Sequence, residues 1–584
     1  MNTSIFYDIY AKYKNIAGDD RLMAYQKLVV SYFVESVVKG MLIYHQTGVG
    51  KTRIAVAIAE ALRGQGYNIV VIEDKILHKN MRENVGQYGG DPANYMFITR
   101  NASTVSADWQ RQHNRATNAN ANAKPQTLVI FDEAHNFANS VSRGSRSAIY
   151  IYDQIRKPGY RVLCLSGTPA INVPHELAIL FNMVSDFGKY TMFPEDIVEF
   201  NRYFVDATAN KIANKAKFQA RVAGYVSYYG DNYFRDSAES RIMKPGFPDE
   251  QPLAVVRVVM SDEQATQYAV AREIEIQEDV RKHYRKKPAG RFGQSSVSGT
   301  YRIRTRQLSN VACADTLAKA SPKICSILAT VSADAELGRK SVIYSSFIDA
   351  GITEVAKALQ ALGWMPYGHM PRGRHAYAVI TGQVSDDVRA AILAAYNDPA
   401  NCRGATIMAV LVSVVAAQGI ELKNTRAIHI VEFGWNYSLF EQIVARCVRL
   451  NSHEDLPAEE RTLAPYVYIA VLPGRYNPDN IESTDEYMYN RAVANVHLID
   501  TFRLAIAEAA IDCMTFNRSS LLKCMFCKPT GQRLYEYDIH EDMRYPCICQ
   551  PCVAKTIRAE IVVKDGVEYY RDTDTGKLHA VPPT

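Results

Sequence analysis

The chain has 584 residues, 47% of them hydrophobic and 22% charged, with a formal net charge of +6. That length allows about three to four domain-sized units with large cores, and the composition is neither Gly- nor Pro-dominated. The charge is too mild to require a nucleic-acid partner by itself, no apolar run is long enough to cross a bilayer, and Met1 to Asp8 lacks the basic start and apolar stretch of a secretory signal.

In chain order, the apolar strand Met41–Tyr44 runs into His45-Gln46-Thr47-Gly48-Val49-Gly50-Lys51-Thr52, and a helix-forming stretch follows from Arg53 to Leu62. This is a phosphate-binding loop in its proper setting. Thr47, Gly48, Val49 and Gly50 offer backbone N–H groups to a β-phosphate, Lys51 reaches the β/γ oxygens, and Thr52 holds Mg²⁺. The full pattern has glycine where His45 stands. Two further strands are expected at Ile69–Ile72 and Thr127–Phe131, separated by a polar surface loop over Asn101–Gln126. Phe131 leads into Asp132-Glu133-Ala134-His135, a DEAH box. An Asp at a strand tip can hold Mg²⁺ through water, and the Glu beside it can polarise the attacking water; alone, both would read as helix caps. The strand Arg161–Leu165 then leads into Ser166-Gly167-Thr168-Pro169, a turn placed where a sensor between nucleotide and nucleic acid belongs.

A separator without this rhythm carries Arg281-Lys282-His283-Tyr284-Arg285-Lys286-Lys287 and then Arg291, Arg302, Arg304 and Arg306, with no acidic residue among them. It reads equally as a solvated linker or as a phosphate-tracking patch with Tyr284, Phe292 and Tyr301 for stacking. A second alternating block follows, with strands at Ser341–Tyr344, Ala378–Thr381, Thr406–Val412, Ala427–Val431 and Tyr466–Val471. Such alternation predicts a second parallel sheet flanked by helices. In it, Gln442, Arg446 and Arg449 are spaced to share one helical face. They could be surface charge, or they could present guanidinium groups across a cleft to a γ-phosphate.

Beyond Val471 the pattern turns helical from Asp485 to Ala510 and then cysteine-rich. It ends in a hairpin-like Val562–Tyr570. Cys524-x-x-Cys527 and Cys549-x-x-Cys552 make two paired-thiolate turns that together can complete a tetrahedral Zn²⁺ site, with Cys547 and His540 as spare ligands. Scattered free thiols are the other reading.

The ordered set His45–Thr52, Asp132–His135, Ser166–Pro169, Ser413–Gly419 and Gln442–Arg449 resembles motifs I, II, III, V and VI of superfamily 2 helicases and translocases, over about Tyr25 to Val471. Within that superfamily, His-x-Thr-Gly-Val-Gly-Lys-Thr, Cys164–Pro169 and Gln442–His453 look like the poxvirus nucleoside triphosphate phosphohydrolase I group. That group's relatives in large DNA viruses include the small subunit of the early transcription factor. The resemblance implies that Gln26 contacts adenine and that Gly419 belongs to the nucleotide site. It also implies that Asp132 helps hold the metal, Glu133 is the general base, and Gln442, Arg446 and Arg449 sense or stabilise the γ-phosphate. Thr168, Thr381 and Ser413 would lie near a nucleic-acid backbone. Gly167 stands where many members have Ala, and Ala445 where Gly is usual, both small-for-small changes. The region after Asp485 does not match clearly.

The expectation is therefore an α/β protein with two tandem RecA-like lobes at 1–235 and 326–475. A basic, partly helical insertion fills 236–325, and a helical, zinc-ribbon-like extension 476–584. The expected activity is ATP hydrolysis coupled to DNA, single-stranded above all, in the transcription of a large DNA virus, with contacts to viral RNA polymerase or transcription-factor subunits. The resemblance places it in the virion and host cytoplasm. A replicative or repair helicase, and a polymerase-binding module merely locked by nucleotide, are the rival readings.

Overall fold

The computed structural model describes residues 21–46, 48–100, 104–111, 126–186, 190–230, 246–283, 291–292, 302–369, 375–413, 420–449, 451–477, 481–516, 522–526, 535–544, 550–551, 559–564, 567–573 and 578–580. Six strands form the first sheet: β1 (Gly40–His45), β2 (Asn68–Glu73), β3 (Tyr95–Thr99), β4 (Thr127–Phe131), β5 (Tyr160–Ser166) and β6 (Val226–Tyr229). Their order is β3-β2-β4-β5-β1-β6, and every neighbouring pair is parallel. The strands read as unbroken apolar runs because helices cover both faces. Leu42, Val70, Val129 and Val162 point into one core, and Met41, Ile43, Val71, Ile130 and Leu163 into the other. This is the period-two alternation of a pleated strand. Helices α1 (Ala24–Glu35) and α2 (Lys51–Arg63) fill the second face, while α3 (Ala134–Ser142) and α4 (His175–Val184) fill the first.

The second sheet has eight strands, built on β7 (Ala254–Val259), β8 (Lys340–Ser345), β9 (Ala376–Ile380), β10 (Ala409–Ser413), β11 (Thr425–Ile430) and β12 (Thr462–Val471). Their order is β7-β12-β11-β8-β10-β9, all parallel, with Met365–Pro366 beyond β9 and Asp249–Glu250 on the start of β12. Helices α5 (Asp262–His283) and α6 (Pro322–Glu336) lie between β7 and β8 along the chain. All nine strands expected from the sequence form. Three more, β3, β6 and β7, do not stand out in the alternation. β7 lies inside the stretch read as a separator, yet it pairs residue for residue with Tyr466–Val471. Its pattern is that of a half-covered edge strand, so burial gives it little signature.

Arg281 is exposed at the end of its helix, whereas the other described arginines of the basic separator are engaged within the fold. Arg291 is ion-paired to Asp153 and Glu195, and Phe292 is buried in the first lobe's core. Arg304 pairs with Glu278, Arg302 lies over Tyr487, and Arg306 is buried over Phe347. Tyr284, Arg285, Lys286, Lys287 and Tyr301 lie outside the described residues.

After β12, helix α8 (Thr484–Glu508) is opened by a capping box between Ser483 and Glu486. Its 25 residues span roughly 37 Å, enough to touch both lobes. Near its start Asp485 receives Lys323 Nζ at 2.5 Å and the Ala470 N–H at 3.1 Å in the second lobe. Near its end Ile499, Phe502, Ala505 and Ile506 enter the first lobe's core, and Glu508 is held by Gln219 and Lys215, both at 2.7 Å. The expected hairpin also forms, Ala559–Lys564 against Val567–Asp572, with Leu578–Ala580 as a third antiparallel strand. No helix among the described residues is long and apolar enough to cross a membrane.

Both members of the Lys323–Asp485 pair are almost wholly buried, at 1% and 3% side-chain exposure. Lys323→Met strands the carboxylate and should lower unfolding stability by about 3–5 kcal/mol, whereas adding Asp485→Leu should recover most of that loss. Denaturant midpoints of the two variants check this.

Candidate active site

Strand β1 delivers the phosphate loop and α2 begins at its end. Gly48 (φ 88°) and Gly50 (φ 86°) take left-handed conformations that turn the backbone inward. A side chain at Gly50 would also meet Gln26 Nε2 at 2.6 Å. Gln26, expected to contact adenine, is 4% exposed and grips the loop itself. Its Oε1 accepts from Met23 N–H at 2.9 Å, and its Nε2 donates to the Val49 carbonyl at 3.2 Å. Tyr25 donates to the same carbonyl and stacks on Tyr229 at 3.7 Å. Lys51 Nζ donates to the carbonyls of His45 and Gln46 at 2.9 and 3.2 Å. Thr52 lies in the first turn of α2, and Thr47 lies outside the described residues.

His45, the departure from the glycine pattern, is buried and joined to the far end of the chain. Its Nε2 lies 2.6 Å from Ser227 Oγ, and Ser227 donates to Asp512 Oδ2 at 2.5 Å. Asp512 also accepts the Tyr228 N–H at 2.8 Å. Because the serine proton goes to the carboxylate, His45 donates through Nε2. Burial drives the imidazole down to about 3 and Asp512 up to about 6. Ser227 and Asp512 are functional candidates that the sequence does not reveal; the only signal is that a histidine stands where glycine belongs and must be accommodated.

At the tip of β4, Asp132 Oδ1 accepts the Glu133 N–H at 2.9 Å. Burial, then the Glu133 charge, raise Asp132 to about 7, with Lys51 opposing. Glu133 adopts a left-handed backbone (φ 46°), rare for a non-glycine residue and often found at functional turns. Its carboxylate stays part-exposed, with Oε2 3.5 Å from His135 Nδ1. His135 Nδ1 meets Ser166 Oγ at 2.8 Å, and Ser166 Oγ accepts the Thr168 N–H at 3.0 Å. The DEAH run is thereby tied to the Ser166–Pro169 turn. Glu73, ending β2 alongside β4, is buried and pushed up to about 9, so it is a neutral acid at pH 7 and adds no negative charge. A carboxylate, a hydroxyl and water are hard oxygen donors of the kind Mg²⁺ takes, so Asp132 and Thr52 fit that ion.

Helix α7 (Tyr437–Val444) carries Gln442, half-buried, but ends before the two arginines. The expected shared helical face is therefore not formed. The Arg446 carbonyl accepts the Leu422 N–H at 3.0 Å and the Cys447 carbonyl accepts Ser452 Oγ at 2.9 Å, so these carbonyls are satisfied outside the helix and the chain turns away. The turn leaves Arg446 half-buried, with Nε unpartnered among the described residues. Burial and Arg449 lower its pKa, while Glu133 from the first lobe opposes them. Lys51 is lowered by burial, with Glu133 and Asp132 opposing and Arg446 adding. Lys51, Asp132, Glu133 and Arg446 thus share one electrostatic site drawn from both sheets, at the carboxyl ends of parallel strands where α/β proteins place their ligands. Arg449 donates to the Ile420 carbonyl at 3.4 Å.

Thr168 lies just past β5. Thr381 follows β9 and Ser413 ends β10; Ile380 pairs Val412 between them. Thr381 and Ser413 are 6% and 5% exposed, so neither offers a free surface here. Gly419 lies outside the described residues. The zinc expectation is corrected at two positions. Cys524 is bonded to Cys513, and His540 spends Nδ1 on Tyr203 (2.6 Å) and Nε2 on Glu199 (3.2 Å). Met525–Phe526 pairs antiparallel with Gln550–Pro551, but Cys527, Cys547, Cys549 and Cys552 lie outside the described residues. No group of three or more His, Cys, Asp or Glu side chains among the described residues could hold a metal.

Two parallel-sheet lobes with a phosphate loop on one and arginines from the other define a helicase-type ATPase. Residues 19–171 match the family described as type III restriction enzyme, res subunit, and residues 322–451 match the helicase conserved C-terminal domain. With these two helicase domains the chain is an ATP-hydrolysing enzyme of helicase type. It is 28% identical to an African swine fever virus protein described as a termination factor NPH-I homolog, over 92% of this chain and 85% of that one. It is 25% identical to an Acanthamoeba polyphaga mimivirus protein described as an ATP-dependent RNA helicase, over 98% and 84%. The solved SWI2/SNF2 ATPase core of Sulfolobus solfataricus in complex with dsDNA aligns over 82% of this chain and 94% of that one, at 15% identity and a TM-score of 0.29, too low to superpose usefully.

The buried imidazole has a pH signature. Unfolded His45 takes a proton below about 6.5, while the folded group, at about 3, refuses it. The stability it allows at neutral pH is therefore lost as pH falls through that window, by about 2 kcal/mol at pH 5. His45→Gln, which does not titrate, should gain on the wild type between pH 7.5 and 5, as thermal melts at both pH values would show.

Proposed function

We propose that the protein is a nucleic-acid-dependent ATPase of a large DNA virus that translocates along a strand, single-stranded DNA above all, during viral transcription. The observation that carries this is the arrangement of Arg446 within electrostatic reach of Lys51 and Glu133, because a site shared between lobes makes hydrolysis depend on how the lobes sit. ATP phosphates would lie on the Gly48–Lys51 backbone, with Lys51 exchanging its loop carbonyls for β/γ oxygens. Glu133 would take the proton of the attacking water, helped by its part-exposed position. Arg446 and Arg449 would meet the charge developing on the γ-phosphoryl, with Gln442 beside them. Thr52 and Asp132 would hold Mg²⁺, which would supply neutralising charge at the phosphates. The name of the African swine fever virus relative supports a role in termination and contact with RNA polymerase subunits.

Coupling to a strand follows from the link Glu133–His135–Ser166–Thr168. A strand that shifts the Ser166–Pro169 turn would alter the surroundings of the general base, and closure and opening of the cleft over one ATP would step it along. The mimivirus relative's description favours a second reading, a true helicase, which displacement of a labelled strand from tailed duplexes would distinguish.

Glu133→Gln should lower ATP turnover by about 10²–10⁴ and Arg446→Ala by about 10³ or more, with Lys51→Ala inactive; unchanged turnover in Glu133→Gln would refute the base assignment. Stimulation by single-stranded DNA should fall steeply between 50 and 200 mM salt, since phosphate contacts release counterions. ATPase rates with single-stranded DNA, duplex DNA, RNA and no polyanion at both salt levels test this, and no stimulation by any of them would refute nucleic-acid coupling.

A further inference from the structure

One guanidinium outside the motifs joins the two halves of the site. Arg503, in the last third of α8, is 4% exposed. Its Nη2 donates to the Ala170 carbonyl at 3.1 Å in the first lobe and to Ser438 Oγ at 3.4 Å in the second. Its Nη1 donates to Asp500 at 2.9 Å, and Nη2 lies 3.8 Å from Glu441 Oε2. Ala170 closes the segment that starts at Ser166, whose hydroxyl meets His135. Ser438 and Glu441 both lie on α7, the first one turn before Gln442 and the second beside it.

We infer that Arg503 is a positioning residue that sets the register between the Ser166–Ala170 segment and α7, so that Arg446 stays within electrostatic reach of Glu133 and Lys51. Three features support it. The planar, five-donor fork can serve a carbonyl, a hydroxyl and carboxylates at once, which a lysine cannot do with the same geometry. The helix that carries it is rooted in both cores, by Asp485 at one end and Phe502 and Ile506 near the other. The same seam holds one more polar contact, Asn436 Nδ2 to Asn172 Oδ1 at 3.5 Å, so it is a polar junction able to break and re-form without exposing a large apolar face. Arg503 touches none of the residues placed on ATP, so its effect should appear in turnover and not in nucleotide affinity.

This inference rests on the ATPase reading above, and the test separates the two. Steady-state ATP hydrolysis by the full chain is measured with and without saturating single-stranded DNA for wild type, Arg503→Gln, Arg503→Lys and Ser438→Ala. The Arg503→Gln/Ser438→Ala double variant completes the set. Arg503→Gln should lower DNA-stimulated kcat at least tenfold while KM for ATP changes less than threefold; Arg503→Lys should recover only part of the loss. Ser438→Ala should fall severalfold alone yet add little to Arg503→Gln, as partners in one contact do. Stimulated kcat of Arg503→Gln within twofold of wild type, a parallel rise in KM, or additive losses would each overturn the inference. Should Arg503→Gln not fold, Ser438→Ala/Glu441→Gln strips only the second-lobe side of the junction, and normal kcat in that variant overturns it equally. A wild type that DNA does not stimulate counts against the proposed function; the same thresholds applied to basal kcat then decide the role of Arg503.

Discussion

Charge brought out of water from two separate sheets is the constraint on which this molecule turns. Lys51 and Arg446 are cations whose burial disfavours their charged forms; Glu133 and Asp132 sustain the first and Glu133 the second. The first lobe carries one cation, Lys51, against two carboxylates, and the second lobe adds only cations. The phosphate loop and the Asp132–Glu133 pair belong to the first sheet and the arginines to the second, so the charges balance only when the lobes face each other. A triphosphate adds negative charge at that junction, which is the physical reason nucleotide should favour closure and product loss should relax it.

The parts outside the recognised motifs act as the frame for this junction. The histidine that replaces a loop glycine is accommodated by Ser227 and Asp512, which draws the segment after α8 to the foot of the phosphate loop. Helix α8 itself is anchored in the second lobe by Asp485 and in the first lobe's core by Phe502 and Ile506. The carboxy-terminal region is thus structurally continuous with the nucleotide site, rather than an appendage beside it. Asp542 shows the same economy: fully enclosed, it holds Lys217 and Arg221 at 3.1 and 3.0 Å and so fastens the 535–544 segment to the first lobe.

One open reading narrowed and one expectation changed, each for an identifiable physical reason. The basic stretch looked available for phosphates because its acidic partners are remote in sequence; Asp153 and Glu195 reach Arg291 only through folding. Cysteine spacing suggested a four-thiolate site, but spacing within the pairs says nothing about a competing thiol, and Cys513 lies 5.7 Å from Cys524 at Cα. In both cases a residue type capable of binding a ligand found a partner within the chain.

Much was legible from local pattern. Strands buried on both faces must be apolar throughout, so all nine expected strands were visible, as were the glycines whose positive φ the loop requires and the Asp-Glu pair at a strand tip. Edge strand β7 was not, because a half-covered strand needs no distinctive alternation. Nor could spacing show that α7 stops at Val444, since the carbonyls beyond it are satisfied by Leu422 and Ser452 from elsewhere. Sequence by itself determined which chemistry each lobe carries, because that depends on residues a few positions apart. Only the tertiary structure decided how the lobes are joined, through Arg503, Asp485 and Asp512, because those contacts link residues whose separation along the chain leaves no periodic trace.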